Sequence, residues 1–164
     1  MKTYRSPRSH DELHSFVANF GARCARSTAR CRLEDVVLRA VAASRRDPSL
    51  ARLLPVFLYR VRADLDLDEL AAGAARRRCT RPLGYYLDVA DLVAPTRSFQ
   101  ETTEKLRRNV CTSHPVFLFP ETARYPLEAL DARRNTPHHA RSWGLLVRTS
   151  LDSYRSYFAK VAHL

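Results

Sequence analysis

The sequence predicts a mainly α-helical fold: a compact bundle of roughly six to eight helices, in a single domain over residues 1–164. Apolar residues recur three and four positions apart along much of the chain, which is the period of an amphipathic helix. Only four glycines are present, and tight β-hairpin turns depend on glycine. A domain of this length buries roughly 70% of the surface that its unfolded chain exposes, which is enough for an independent core.

Two of the predicted helices lie within residues 33–61. The first carries an apolar stripe over residues 33–41. Asp47 followed by Pro48 has the character of an N-cap and a first helical residue, and this pair opens a second stripe that reaches Val61. Pro55 lies inside the second stripe. Because proline removes a backbone hydrogen bond from a helix, we expect a kink or a break at this position.

Two further helices are predicted between residues 66 and 94. A short apolar stripe follows Asp66, and a longer one begins after Thr80, whose hydroxyl is suited to capping a helix. The longer helix is expected to end near Ala94 and Pro95. Regular amphipathic spacing gives way to a less regular half at this point, so a subdomain seam is predicted near residues 94–97.

The second half of the chain mixes helical and extended signals. Ser98 and Glu101 have the spacing of a capping box, ahead of a polar helix that runs to about Val110. Residues 115–120 form an apolar stretch bounded by two prolines, which predicts one short extended segment. Residues 151–161 have the apolar spacing of an amphipathic C-terminal helix, which gives a homodimer a structural basis.

The charge balance is the strongest functional signal in the sequence. Lysine and arginine total 28 against 17 acidic residues, which gives a net charge of +11, and only three of the cations are lysines. Preference for arginine over lysine is typical of GC-rich genomes and indicates a bacterial-type protein, but it does not explain an excess of eleven basic residues. A charge of this size attracts polyanions, and guanidinium groups bind phosphate in a bidentate fork.

Most basic residues lie in local clusters. The residues predicted to bind nucleic acid are Arg76, Arg77, Arg78, Arg81, Arg107 and Arg108. Further arginine groups lie at residues 23–32 and 133–134. We expect the protein to bind RNA or DNA, or a protein associated with nucleic acid, through arginine clusters and without catalysis. The alternative is that each cluster is a solvated helix face, neutralised by the acidic residues at 64–69.

Residues 67–93 also have the outline of a helix-turn-helix motif. In such motifs the start of the second helix contacts base edges in DNA, and here Arg81 and Tyr85 lie near that start. Any two amphipathic helices joined by a short linker share this outline, so DNA reading is kept as an alternative.

One short motif points to catalysis. The stretch RNVCTSH, with Arg108, Asn109 and His114 at its key positions, resembles the Arg-Asn-x4-His signature of HEPN-family ribonucleases. That family is helical and often belongs to bacterial toxin or defence systems. The resemblance implies that Arg108 would stabilise the scissile phosphate and that His114 would act as a general acid or base. A HEPN-like, metal-independent ribonuclease is therefore an alternative function.

The aromatic residues near the C-terminus have two interpretations. A helix opening at Thr136–Pro137 is expected to carry Trp143, and Tyr154, Tyr157 and Phe158 follow on the last predicted helix. Their spacing is that of one buried stripe, which favours packing onto the core. The alternatives are a base-stacking platform beside neighbouring arginines, and a protein-interaction module that docks a partner through this surface.

No cofactor and no metal are expected. The sequence lacks the glycine-rich turns that bind phosphate groups and dinucleotides. His10 and His14 share one face of a predicted helix, and Cys24 and Cys31 follow, but these spacings match no structural zinc pattern.

The sequence favours a cytoplasmic protein. Its longest apolar stretches, such as residues 53–59, fall far short of the ~20 residues needed to cross a bilayer, so no membrane partner is expected. The first residues lack the apolar core of a signal peptide. The four cysteines form no CxxC pair, so reduced thiols are expected.

Overall fold

The computed structural model describes residues 4–5, 7, 9–19, 30–94 and 97–161. Within these residues the chain forms nine α-helices, which confirms the predicted mainly α-helical fold. They are α1 His10–Ala18, α2 Leu33–Ser44, α3 Pro48–Val61, α4 Leu67–Arg76, α5 Thr80–Val93, α6 Gln100–Arg108, α7 Pro126–Asn135, α8 His138–Arg141 and α9 Leu151–Val161. Across the described ranges, no helix has the length and apolarity of a membrane span.

Four two-residue strands in the described ranges pair into two small ribbons. β1 (Tyr4–Arg5) is antiparallel to β2 (Arg30–Cys31). β3 (Val116–Phe117) is parallel to β4 (Leu145–Leu146), with Val116 opposite Leu145. The extended segment predicted at residues 115–120 is thereby confirmed, and the structure supplies the pairing partner that the sequence did not predict.

Helix α3 is the central helix of the bundle. It packs against α1, α2, α5 and α9, and most of its side chains from Leu50 to Leu58 are buried. The helix continues through Pro55 from Pro48 to Val61, so the predicted break does not occur. Pro55 is itself buried, and packing on several sides of α3 stabilises the helix despite the missing backbone hydrogen bond.

The predicted cap of α3 is confirmed. Asp47 accepts hydrogen bonds from the backbone N–H groups of Ser49 (2.9 Å) and Leu50 (3.1 Å). Partial burial raises the pKa of the Asp47 carboxyl, but hydrogen bonds from the Ser49 hydroxyl, these backbone N–H groups and His10 outweigh it, so the pKa is lowered. The local pair of cap and proline therefore defines the start of this helix without help from the core.

The caps predicted for α5 and α6 are wrong. Cys79 and Phe99 occupy the N-cap positions, and neither makes a side-chain capping hydrogen bond. Thr80 is instead the first helical residue of α5. Phe99 is 1% exposed, and its burial moves the start of α6 one residue beyond that expected from Ser98.

The helix predicted to carry Trp143 ends before reaching it. α8 stops at Arg141, and the chain then turns at Gly144, whose φ of 63° lies in the left-handed region. Trp143 is fully buried against Gly84 of α5, where a Cβ atom would lie 2.1 Å from the indole ring. The left-handed turn at Gly144 directs the following residues into β4 and ends any helical continuation.

Residues from both sides of the predicted seam belong to one buried cluster. Leu54 and Tyr86 pack in the same core as Leu118 and Trp143 from the second half of the chain. α5 and α6, which flank the seam, pack against each other. Residues 95–96, in the seam itself, lie outside the described residues.

Candidate nucleic-acid interface

Three consecutive arginines at the end of α4 have different surroundings. Arg76 pairs with Glu69 (Nη2–Oε1, 2.7 Å), and Arg77 pairs with Asp35 near the start of α2 (Nη2–Oδ1, 2.5 Å). Arg78 is exposed, and its side chain has no hydrogen bond or ion pair with any residue that the structure describes. Two of the three charges are therefore compensated locally, and the third is available to a ligand.

The backbone at Arg78 adopts a conformation that favours glycine. Its φ is 55°, and its N–H donates to the carbonyl of Ala75 at 3.2 Å, while the N–H of Cys79 donates to the carbonyl of Ala74 at 3.0 Å. This hydrogen-bond pattern is the Schellman motif, in which the residue beyond the helix end is usually glycine. An L-residue costs about 1–2 kcal/mol in this conformation. The chain therefore has an arginine at a position where glycine would be less strained.

Arg81 connects the start of α5 to the loop that follows α6. Its Nη1 donates to the carbonyl of His114 at 3.0 Å, and its Nη2 donates to the carbonyl of Cys111 at 2.6 Å. A guanidinium has five N–H groups, so three remain for other acceptors. Arg81 thus fixes the loop 109–115 beside Arg78 and joins two regions that are about 30 residues apart in the sequence.

A cleft of about 310 Å³ lies where these elements meet, and we name it the arginine cleft. Its lining residues are Arg45, Arg78, Thr80, Arg81, Pro82, Asn109, Val110, Cys111, Val116 and Leu145. No aspartate or glutamate is among them. The lining thus combines three arginines and the polar residues Thr80 and Asn109 with apolar proline, valine and leucine residues.

Arg45 lines the arginine cleft but is not among the arginines that the sequence predicted to bind nucleic acid. It follows α2 directly, is half-buried, and donates from Nε to the carbonyl of Leu118 over a long 3.5 Å contact. Within the described ranges Arg45, Arg78 and Arg81 have no ion pair with a carboxylate. The only sequence signal was the basic pair at residues 45–46, which is 33 positions from Arg78 and gives no hint of proximity.

The arginine cleft contains an exposed thiol. Cys111 Sγ lies 2.9 Å from Ser113 Oγ, and the Ser113 hydroxyl, with a smaller effect of the Arg81 charge, lowers the pKa of the Cys111 thiol. Cys79, only a few residues before Arg81 in the sequence, is buried, and burial raises the pKa of its thiol. The two thiols therefore differ in both access and acidity.

A second cleft of about 540 Å³ adjoins the first and shares Leu145 with it. Its lining residues are Thr112, Pro115, Phe117, Arg133, Arg141, Leu145 and Leu146, again without a carboxylate. The guanidinium of Arg133 lies 5.9 Å from the centre of the Phe117 ring. Arg141 donates to backbone carbonyls at the end of α7, which fixes its position. We name this space the adjoining cleft.

The two arginines at the end of α6 have different roles in the structure. Arg107 pairs with Asp88 (Nη2–Oδ2, 2.5 Å), and its guanidinium lies 4.9 Å from the centre of the Trp143 ring. The indole N–H of Trp143 donates to the same Asp88 oxygen at 2.7 Å. Arg108 is exposed and has no hydrogen bond or ion pair within the described part of the chain. Arg107 therefore covers the core, whereas Arg108 is available to a ligand.

The residues of the ribonuclease-like motif lie at the edge of this region. Arg108 is the last residue of α6, and Asn109 follows it as the C-cap and lines the arginine cleft. His114 is exposed in the loop, which between Val110 and Pro115 contains neither helix nor strand. Its backbone carbonyl is held by Arg81.

Two of the aromatic residues, Trp143 and Tyr154, pack in the core, as their spacing favoured, whereas Tyr157 and Phe158 are only half-buried. Trp143 is fully buried and Tyr154 is 3% exposed, so neither offers a face to bases or to a partner. Arg148 and Arg155 are paired with acidic residues beside them. Tyr85 is also fully buried, which removes it from the base-contacting role considered for a helix-turn-helix motif.

The remaining predicted groups show no metal centre in the described part of the chain. His10 Nε2 lies 3.0 Å from Asp47 Oδ2, and His14 Nε2 lies 3.0 Å from Ser49 Oγ, so both histidines contact the start of α3. No set of three or more metal-ligating side chains converges among the described residues. Cys24, Arg23 and Arg26 lie outside the described residues.

The structure therefore brings Arg78 and Arg81 together with Asn109 and Arg45. Arg76 and Arg77 are directed towards acids of α4 and α2, and Arg107 is directed towards the core. Comparison of the chain with protein-family models, with curated proteins and with solved structures found no match.

Proposed function

We propose that the protein binds nucleic acid, RNA or DNA, through the phosphate backbone, and that it does so without catalysis. The arginine cleft, the adjoining cleft and the exposed Arg108 form the binding surface. The observation that carries this proposal is that both clefts are lined by arginines and neither contains a carboxylate.

The local charge arrangement supports binding better than the net charge does. A net charge of +11 attracts polyanions at long range, but an arginine that pairs with a carboxylate must exchange that partner before it binds a phosphate, whereas an unpaired arginine need not. Among the residues that the structure describes, Arg78 and Arg108 have no carboxylate to exchange for a phosphate oxygen. Arg81 is held in place by backbone carbonyls and keeps free N–H groups, so its binding costs less conformational entropy.

The test is fluorescence anisotropy with a labelled single-stranded RNA and a labelled DNA duplex across a salt titration. Two double variants remove the same amount of charge: Arg78→Ala/Arg108→Ala in the binding surface, and Arg76→Ala/Arg77→Ala in the paired arginines. We expect the first to lose roughly tenfold or more in affinity, because charge-assisted hydrogen bonds to phosphate are lost. Its salt dependence is expected to be less steep by about 0.7–0.9 per lost phosphate contact.

The matched variant Arg76→Ala/Arg77→Ala is the control for net charge. It is expected to change affinity little, because its arginines are paired with acids. Equal losses in the two variants would show that only net charge matters and would remove the clefts from the site. Absence of binding at low salt would reject nucleic acid as the ligand.

The same samples test the ribonuclease alternative. Arg108 and His114 are both exposed at the edge of the arginine cleft, so RNA bound there would lie near both side chains. A non-catalytic binder leaves the RNA intact on a denaturing gel. Cleavage that persists in metal chelator and disappears in His114→Ala would instead establish a ribonuclease.

A further inference from the structure

The arginine cleft has a size and lining that suit one nucleotide. Its volume of about 310 Å³ is at the lower end of the range for small-molecule sites. Its lining combines three arginines, Arg45, Arg78 and Arg81, with three apolar residues, Val110, Val116 and Leu145. A nucleotide has the matching combination, because its phosphate is anionic and its base has an apolar face.

The charge of the cleft exceeds what one phosphodiester requires. A diester in a strand carries a single negative charge, whereas a phosphomonoester carries about −1.5 to −2 at pH 7. Three guanidinium groups without a neighbouring carboxylate therefore match a monoester better. The start of α5 adds to this preference, because its positive dipole end opens here and its N-cap, Cys79, makes no side-chain capping bond.

The strained backbone at Arg78 is consistent with a role for its side chain. Glycine would fit the left-handed conformation at less cost, so folding alone gives no advantage to arginine there. The turn places the unpaired Arg78 at the cleft beside Arg81, whose guanidinium is fixed by two carbonyls. Such a combination of local strain and unpaired charge is frequent at binding sites.

We propose that the arginine cleft binds the phosphomonoester group of a nucleotide, with the base or sugar against the apolar residues. The nucleotide is either the phosphorylated end of a strand or a free mononucleotide, since the chemistry recognised is the same. This inference rests on the proposed function in that the same cleft contacts nucleic acid, and it adds a preference for phosphorylated ends.

The test compares labelled oligonucleotides of one sequence that carry a 5′-phosphate, a 3′-phosphate or no terminal phosphate, at fixed ionic strength. We expect a terminal phosphate to tighten binding roughly tenfold, through two or more charge-assisted hydrogen bonds. Adenosine 5′-monophosphate is expected to compete for the cleft, whereas adenosine is not. A free mononucleotide that binds as tightly as the phosphorylated strand would identify the free nucleotide as the ligand.

The decisive variant is Arg78→Gly. It removes the guanidinium and relieves the left-handed backbone, so its thermal stability is expected to be unchanged or higher while the preference for a terminal phosphate disappears. This combination separates a ligand-binding role from a structural one. Arg76→Gly, which removes the same charge from the end of α4, is the matched control and is expected to keep the preference.

The outcomes separate the two proposals. Equal binding of phosphorylated and unphosphorylated strands, with no competition by adenosine 5′-monophosphate, would overturn the phosphomonoester site and leave nucleic-acid binding standing. Binding of the mononucleotide without binding of any strand would overturn the proposed function and keep the site. Failure of all probes to bind would overturn both.

Discussion

Two clefts of nearly equal size lie at opposite ends of α2 and α4, and their charges are opposite. The arginine cleft, about 310 Å³, lies where these helices end and contains three arginines and no acid. The other, about 330 Å³, lies where they begin. Its lining residues are Arg32, Leu33, Glu34, Ala63, Asp64, Leu65, Asp66 and Glu69. We name it the acidic cleft.

Helix dipoles account for the charges in the acidic cleft, but not for all the charges in the arginine cleft. Asp66 caps α4 by accepting from the N–H of Glu69 at 3.0 Å, and Glu34 accepts from the N–H of Asp66 at 2.8 Å. These acids lie at helix starts, where negative charge is stabilising. Arg76, at the end of α4, follows the same rule. Arg81 does not, because it adds positive charge to the positive end of α5.

The acidic residues at the helix starts have backbone N–H partners within the fold. The arginines of the arginine cleft, in contrast, have no carboxylate in the cleft lining to balance their charge. A bound anion would supply the missing compensation at the start of α5. The arginines of the sequence therefore have two different roles. Those that pair with acids contribute to the fold, and those without a described acidic partner define a candidate site.

The largest effect is expected from reversing one charge in each cleft. Arg78→Glu should weaken nucleic-acid binding by about 100-fold or more, because it removes a phosphate contact and places a carboxylate beside the negatively charged phosphates of the nucleic acid. Arg32→Glu makes the same charge change in the acidic cleft and should have a small effect. Anisotropy at one salt concentration measures both. Equal weakening by the two variants would contradict any distinction between the clefts.

Gly144→Ala tests whether the shape of the arginine cleft matters as much as its charge. A Cβ at Gly144 would lie 3.2 Å from the carbonyl oxygen of Cys111 and 3.3 Å from the Cα of Thr112, and its φ of 63° disfavours any side chain. We expect the free energy of unfolding to fall by about 1–2 kcal/mol and nucleic-acid affinity to fall as the loop shifts. Urea denaturation and anisotropy measure the two effects.

Arg78→Gly makes the contrary change at another position with a left-handed backbone and serves as the stability control for Gly144→Ala. It should leave the free energy of unfolding unchanged or raise it by up to about 1 kcal/mol. A stable Gly144→Ala protein with full affinity would show that the loop adapts and that only the charges of the cleft matter.

The reactivity of Cys111 reports whether nucleic acid occupies the arginine cleft, and its expected change is smaller than the losses of affinity above. Because the pKa of Cys111 is lowered and its side chain is exposed, iodoacetamide should alkylate it near neutral pH much faster than the buried Cys79. Saturating nucleic acid should slow the reaction at Cys111 several-fold. Peptide mapping by mass spectrometry assigns the modified cysteine. An unchanged rate at Cys111 in the bound protein would place the nucleic acid elsewhere.

The smallest effect concerns pH. His139 stacks on Tyr85 with ring centroids 5.8 Å apart, and no described residue bonds its buried Nε2. Burial lowers the pKa of His139 below 6.5, while the Asp88 charge partly opposes the shift. As the pH falls through 6.5, the unfolded chain therefore binds more protons at this position than the folded protein does. The free energy of unfolding falls with the pH, with a slope that corresponds to the uptake of at most one proton.

His139→Phe keeps an aromatic ring beside Tyr85 and should flatten this pH dependence in urea denaturation between about pH 5 and 8. His138→Phe, at an exposed neighbouring position, is the control. The guanidinium groups stay charged throughout, so nucleic-acid affinity should change less than stability does. A profile that His139→Phe leaves unaltered would assign the titration to another group.

The sequence by itself determined those elements whose signals are local. The Asp47–Pro48 pair specified the start of α3, and the apolar stripe at residues 33–41 predicted α2. Both depend on contacts within a few residues of one another, so they can be derived without knowledge of the fold. The extended segment at 115–120 was predictable for the same reason, since its prolines and apolar residues are consecutive.

Tertiary packing decided the elements for which local signals competed. Burial of Phe99 moved the start of α6, and the environment of α3 kept a helix through Pro55. The apolar spacing after Trp143 also fits a helix, but the turn at Gly144 and the pairing of β4 with β3 gave a strand. In each case packing outweighed a local preference, which is about 3 kcal/mol for proline inside a helix and about 1 kcal/mol or less for the other two.

The candidate site shows the same division. The sequence determined that arginine is abundant and that residues 76–81 and 107–108 are basic, but it presented Arg76, Arg77 and Arg78 as equivalent. Only the tertiary structure decided which of them meets a carboxylate: Arg76 pairs with Glu69 of its own helix, Arg77 pairs with Asp35 of α2, and Arg78 pairs with no described acid. It also brought Arg45 to the same cleft as Arg78. Charge is a property of composition, whereas the availability of a charge depends on which groups the fold places beside it.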